Sequence, residues 1–359
     1  MAPRPGSSAD LMAGATSSEA ISPKRPDRTP RSPFSIDYLP GEDLDEVLAD
    51  KRVLAVIRFG PTTRRHRRDP RLITVGLVEI RGQETIEVWR GTTPAVQVGT
   101  AGAIHFAHDD GVLFACLLVD EQPYPTLERA TYDAYRRLRQ FFQRSGYPFL
   151  PRVWNYLPRI NTECGGLERY QAFCLGRHRA LSVHARDFES TLPAACAIGT
   201  QSPGLLIYAL GCKQPGRQIE NPRQTSAFHY PRQYGPRSPS FSRAVLQQWG
   251  NAESHLYISG TASIVGHVTQ HSQDPVAQGK EICVNLETLI ANANGYLSTP
   301  LELTSLKVYS RHAHGLRALE DLISQRFGSY LPTLFLHGDI CRSDLLVEIE
   351  GMAVAQGNG

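Results

Sequence analysis

The sequence predicts an α+β fold built from two tandem units, each a mixed sheet with helices on one face. Three observations predict it: an order of elements that occurs twice, a stretch that overlays its counterpart residue by residue, and a composition suited to ordinary globular cores. The chain has 359 residues, 41% hydrophobic and 20% charged, enough for about two domains at roughly 150 residues each. No run approaches the roughly 20 uncharged apolar residues of a membrane span, and the start lacks the basic, apolar and cleavage regions of a secretory signal. A cytoplasmic protein with no membrane partner is expected.

Residues 1–32 are rich in Pro, Ser, Ala and Arg without apolar periodicity, so they are expected to form a disordered tail. The apolar runs 53–59 and 72–80 read as strands, with the RRHRR of 64–68 as the exposed loop of a long hairpin between them. No aromatic residue is interleaved with those arginines, and 38 basic residues nearly balance 35 acidic ones, so no nucleic-acid partner is expected. An amphipathic helix follows at 125–145, with Leu127, Ala134, Leu138, Phe141 and Phe142 on one stripe. Next come a strand at 153–157, a helix through Leu167, Tyr170 and Phe173, and apolar runs at 194–199 and 205–211. The second half repeats this order with a helix at 276–292, a strand at 303–309, a helix at 316–327 and runs at 333–338 and 345–351.

TLPAACAIGTQSPGLLIYALG (191–211) overlays YLPTLFLHGDICRSDLLVEIEG (330–351) with one inserted residue. Leu192-Pro193 matches Leu331-Pro332, Gly199 matches Gly338 and Gly211 matches Gly351. The expected units are 33–199 and 200–359, packed about a pseudo-twofold or pseudo-threefold centre. At one place the copies diverge. Tyr208 in the first is replaced by Glu348 in the second, within a strand of otherwise apolar residues. Alternation leaves two placements open: solvent at an edge strand, as for Glu350 on the same face, or a buried site whose desolvation suits a carboxyl group to donate a proton.

The seven cysteines are odd in number, scattered and without a C-x-x-C pair, which argues against a disulfide framework and a zinc ribbon. His267 and His271 follow a strand-like run, and His312 and His314 sit at a strand-to-helix junction; neither pair has a third ligand cluster nearby, so no metal site is expected. The G-x-G occurrences lack dinucleotide-site spacing.

The stretches GDICRSDLLVEIEGMA (338–353), RVWNYLPRIN (152–161), GLERYQAFCLGR (166–177), ENPRQTSAFHYPRQYGPRSPSFSRA (220–244) and ISGTASIVGH (258–267) together resemble the chorismatase family, whose members have the RidA/YjgF-like fold. The resemblance covers roughly 35–355. It implies an enzyme that cleaves chorismate to pyruvate without a cofactor, with Glu348 as the site carboxylate protonating the enolpyruvyl methylene. It is similar above all to the hydroxybenzoate-forming branch, including the bifunctional enzyme of xanthomonadin-producing bacteria, because Cys341 stands where such members carry cysteine. There Cys341 steers an arene oxide route to 3-hydroxybenzoate, with 4-hydroxybenzoate as a second product. Ala262 departs from this branch and resembles the hydrolytic pattern, which fits a mixed-product enzyme.

Chorismate carries two carboxylates, and arginine holds carboxylates best because its planar fork binds them bidentately and keeps its charge. The residues that match the family pattern are Tyr170 with Arg177, seven apart on a helix, and Tyr230 with Arg243, flanking a Pro-rich connection that folds back on itself. Arg223 is a further candidate clamp. Two alternatives remain open on the residues alone. One is an imine or enamine deaminase of the broader fold group, which needs an arginine where Cys341 stands; Arg342 would face away if the strand extended there. The other is a non-catalytic metabolite-sensing module. A monomer or small homo-oligomer is expected.

Overall fold

Period-2 apolar runs and two amphipathic helices per half fold into two sheets with the same strand order. The computed structural model describes residues 32–183, 187–250 and 253–357, so all but Ser32 of the expected tail lies outside the described residues. The first sheet runs Ala194–Thr200, Phe149–Pro158, Leu205–Cys212, Val112–Val119, Ile104–His108, Gln97–Ala101. The second runs Thr333–His337, Glu302–Ser310, Val347–Gln356, Glu253–Ala262, Ala244–Trp249, Arg217–Ile219, with Val78–Glu79 added outside Thr333–His337. Position by position, these orders match the duplication read in the sequence.

The longer helix of each half forms where its apolar stripe and its cap dictate. In Leu127–Arg144 the buried Leu127, Ala130, Ala134, Leu138 and Phe142 recur every three or four residues, and the Thr126 side chain accepts the Arg129 N–H at 3.2 Å. Pro275–Asn294 starts with Pro at its first position, and Asp274 accepts the N–H groups of Val276 and Ala277 at 2.9 Å. In each half the shorter helix, Arg169–Ser182 or Leu316–Phe327, is the crossover that two parallel strands require.

Both helix pairs pack on the outer faces of their sheets, and the inner faces meet. A third sheet, absent from the duplication, joins them there: Phe34–Pro40, Thr85–Gly91, Val53–Phe59, Leu72–Val75 and Arg64–Arg65. The central core takes Phe34, Ile57 and Trp89 from this sheet, Phe114 and Tyr208 from the first, and Tyr257 and Tyr309 from the second. The glycine repeated in the overlay has its reason here. The Gly199 N–H and C=O pair with Asp339 across the two halves, and a Cβ on Gly199 would lie 2.5 Å from Ile160 Cγ2.

Two sequence expectations are corrected. The boundary at 199/200 falls inside the strand Ala194–Thr200, whose sheet goes on to Leu205–Cys212, because the overlaid segment completes the first unit. The runs at 53–59 and 72–80 form no hairpin. Val53–Phe59 pairs in parallel with Leu72–Val75, and Arg64–Arg65 returns antiparallel to the latter. The second run then breaks at Gly76, crowded by Thr63 and Ser202, and Val78–Glu79 crosses to a different sheet. Among the described residues no helix is long and apolar enough to cross a membrane.

If the contact at Gly199 fixes how the halves meet, Gly199→Val costs about 1–3 kcal/mol by overpacking. Urea unfolding reads this as a lower midpoint, and an unchanged midpoint would contradict the close approach.

Candidate active site

A cavity of about 360 Å³ opens where the two halves meet. Its first-half wall is the helix Arg169–Ser182 and the strand Ala194–Thr200, and its second-half wall comes from the 230–243 connection, the strand Glu253–Ala262, the turn at 341–344 and Glu348. Six of the seven sequence candidates line it: Tyr170, Arg177, Tyr230, Arg243, Cys341 and Glu348.

The seventh candidate is a correction. Arg223 is absent from the lining; its guanidinium donates to Asn285 Oδ1 at 2.5 Å and pairs with Glu281, so it ties its loop to the helix Pro275–Asn294.

Glu348 is 4% exposed. Alternation left solvent open, but both faces of this central strand are covered, so Glu348 and Glu350 are both buried on the face turned toward the first half. Burial first, and the charge of Glu350 second, push the Glu348 carboxyl up to about 8 against the pull of Arg152 and Arg243. Glu350 is buried too, yet its carboxyl is held below the usual range because Arg152 and Lys307 outweigh its desolvation. Two carboxyl groups on one strand therefore hold opposite protonation states at neutral pH.

The strand Glu253–Ala262 makes room for the neutral one. Its register against Val347–Gln356 slips between Ile258 and Thr261, and Gly260 lies in the slip. A Cβ there would sit 1.8 Å from Glu348 Oε1. Sequence reasoning missed this glycine, although a lone glycine inside the strand-like ISGTASIV signals a bulge or a close backbone approach. Ala262 pairs directly with Glu348 in register and also lines the cavity.

Around this acid the cavity is cationic. Arg243 donates to the Tyr230 hydroxyl and the Thr225 carbonyl, each at 2.7 Å, which closes the Pro-rich connection on itself; its Nε has no hydrogen-bond partner. Arg177 lies over the Tyr135 ring at 5.1 Å with Nε and Nη2 unpartnered. Arg342 is a lining residue that alternation turned away. The strand starts only at Val347, so 341–344 form a turn that presents both Cys341 and Arg342. Its guanidinium stacks 3.8 Å from the Tyr234 ring centroid and donates to the His267 carbonyl at 2.9 Å, leaving Nη2 unpartnered. Buried N–H donors without acceptors are costly, so three guanidinium groups with free donors, offset in the lining only by Glu168 and Asp344 besides Glu348, mark a place for an anionic ligand.

Burial, helped by the charge of Glu348, pushes the Cys341 thiol up to about 12, so it meets a ligand as a neutral thiol and not as a thiolate. Tyr170 and Cys174 share a hydrogen bond beside it, and burial raises both. Elsewhere His267 Nδ1 pairs with the Tyr234 hydroxyl at 3.1 Å and His271 Nε2 with Glu281 at 3.5 Å. Among the described residues no three His, Cys, Asp or Glu side chains gather in a metal-ligating cluster.

A neutral buried acid facing a pocket of arginines with free donors defines a site for a small anionic ligand. Comparison with known proteins gives the family. The model described as chorismatase FkbO/Hyg5-like, N-terminal, matches residues 87–211. The 3-hydroxybenzoate synthase of Streptomyces hygroscopicus is 34% identical over 295 residues, 79% of this chain and 85% of that protein. A chorismatase of Streptomyces rapamycinicus is 35% identical over 277 residues, 74% of this chain and 81% of that one. A chorismatase crystal structure superposes with a TM-score of 0.80 at 33% identity, covering 89% of this chain and 98% of that one. The chain belongs to the chorismatase family.

The Gly260 contact generates a test. Gly260→Ala should stay folded but lose about 100-fold in turnover, the scale expected when a reacting group is displaced by about 1 Å. Turnover at the unaltered rate would mean that the Glu348 carboxyl does not need its present position.

Proposed function

We propose that this enzyme cleaves chorismate to pyruvate and 3-hydroxybenzoate, with 4-hydroxybenzoate as a second product, and that Glu348 is the proton donor. One observation carries the reading: the neutral, buried carboxyl of Glu348 lies in the same cavity as three guanidinium groups with unpartnered N–H donors. A cavity of about 360 Å³ suits a ligand of this size.

In this reading Arg177, Arg243 and Arg342 hold the two carboxylates, while Tyr170 and Tyr230 complete their hydrogen bonding. Glu348 gives its proton to the enolpyruvyl methylene, which becomes the methyl group of pyruvate. The ether carbon becomes an oxocarbenium centre, and the C–O bond to the ring weakens. The neighbouring ring hydroxyl displaces pyruvate to form an arene oxide and returns a proton to the Glu348 carboxylate, so no proton is consumed overall. Breaking one epoxide C–O bond leaves oxygen on the ring carbon that carried the enolpyruvyl group and yields 3-hydroxybenzoate; breaking the other yields 4-hydroxybenzoate. The neutral Cys341 thiol and the small Ala262 bound the space where this choice is made, which supports a role for both in product identity. The name of the Streptomyces hygroscopicus relative supports 3-hydroxybenzoate as a product. No step calls on a cofactor.

Glu348→Gln should lower pyruvate release by 100-fold or more while a dicarboxylate analogue still binds; retained turnover would contradict the proton-donor role. The raised carboxyl is the active, protonated form below its pKa, so kcat/KM should be level through neutrality and fall above about pH 8. Product chromatography checks the thiol. Cys341→Ala should change the ratio of products more than the total pyruvate, and an unchanged ratio would remove Cys341 from the steering role.

A further inference from the structure

Behind the cavity wall a row of buried charges runs away from Glu348. Glu350 lies two residues along the same strand and on the same face, about 7 Å away by strand geometry, and does not line the cavity. Its carboxylate accepts the Trp154 indole N–H at 2.8 Å and pairs with Arg152, and the Lys307 ammonium lies 3.2 Å from it. Lys307 continues the row to Glu87 at 2.7 Å, and Glu87 in turn accepts the Trp89 indole N–H at 2.7 Å. All four charged residues are at most 5% exposed, and their formal charges cancel. Glu87 belongs to the N-terminal sheet, which contributes no residue to the cavity.

We propose that the Glu87–Lys307–Glu350–Arg152 row is a positioning device for the proton of Glu348. Arg152 and Lys307 keep a full negative charge on Glu350, that charge opposes a second one on Glu348, and Glu87 keeps the flanking cations from reversing the effect. Through Glu87 the N-terminal sheet takes part in the chemistry without touching the ligand. The other groups facing Glu348 do not replace this influence. Cys196 from the strand Ala194–Thr200, Tyr170 from the helix, Cys341 from the turn and Tyr309 in register beside it are all neutral, since burial raises each one, and Arg152 and Arg243 favour the ionised carboxylate. Of the charged groups around Glu348, Glu350 is the one that favours its acid form.

This inference rests on the reading of Glu348 as proton donor, and the test separates the two. The measurement is the pH dependence of kcat/KM for pyruvate release from chorismate, made on the whole enzyme. Glu350→Gln keeps the acceptor for Trp154 but removes the charge, so the alkaline limb should move to lower pH by about one to two units, the effect of a unit charge at this distance in a protein interior. Glu87→Gln, farther away, should move it in the same direction by about half as much. If Glu350→Gln does not fold, the Glu87 variant decides the matter alone. A limb that stays in place in a folded variant, with activity lowered equally at every pH, overturns the role of the row and leaves a structural one. Should Glu348→Gln turn over chorismate, the donor reading itself fails, whatever the limb does.

Discussion

Everything at this site depends on the unequal treatment of two glutamates two residues apart on one strand. Both are removed from water, which raises the energy of the charged form of each. Of the two, Glu350 is the one paired directly with cations, Arg152 and Lys307, and its carboxyl is held low. Glu348 is left facing a cavity with a negative neighbour behind it and keeps its proton. Breaking a buried pair such as Arg152 with Glu350 costs about 3–5 kcal/mol, because the remaining charge stays stranded. The compensation of Glu350 is thus as much a matter of fold stability as of chemistry.

The duplication explains why the chain has this acid on one side only. In the first half the equivalent position is Tyr208, buried in the central core, whose hydroxyl lies 3.1 Å from that of Tyr156, itself 3.2 Å from that of Tyr309. One copy thus contributes an aromatic seam between sheets and the other contributes the acid. The first copy still supplies half of the cavity wall, through Tyr170, Arg177 and the strand carrying Cys196. The repeated Gly199, with no room for a side chain, lets the halves come close enough for the wall to close.

Periodicity and self-similarity made the paired sheets and four of the helices legible, because both signals are local. The N-terminal sheet was misread for the converse reason. A parallel pair with a short returning strand between its members resembles a hairpin in sequence, and the crossing at Gly76 is set by contacts with Ser202, far away in the chain. At the site, motif likeness picked out six lining residues but also Arg223, since a motif cannot tell an arginine facing a ligand from one tied to Glu281. Arg342 was hidden by assuming that the strand began early, and Gly260 carried only the weak signal of a glycine in a strand. The buried ion pairs of Arg152, Lys307 and Glu87 left no local trace at all, because they form where three sheets meet in space.

The most direct test is to observe the Glu348 proton itself. Infrared difference spectra of the ligand-free enzyme, with Glu348→Gln as the reference, should show a protonated carboxyl band at neutral pH that disappears with a midpoint of about 8. A carboxylate already ionised at pH 6, well below that midpoint, would contradict the account.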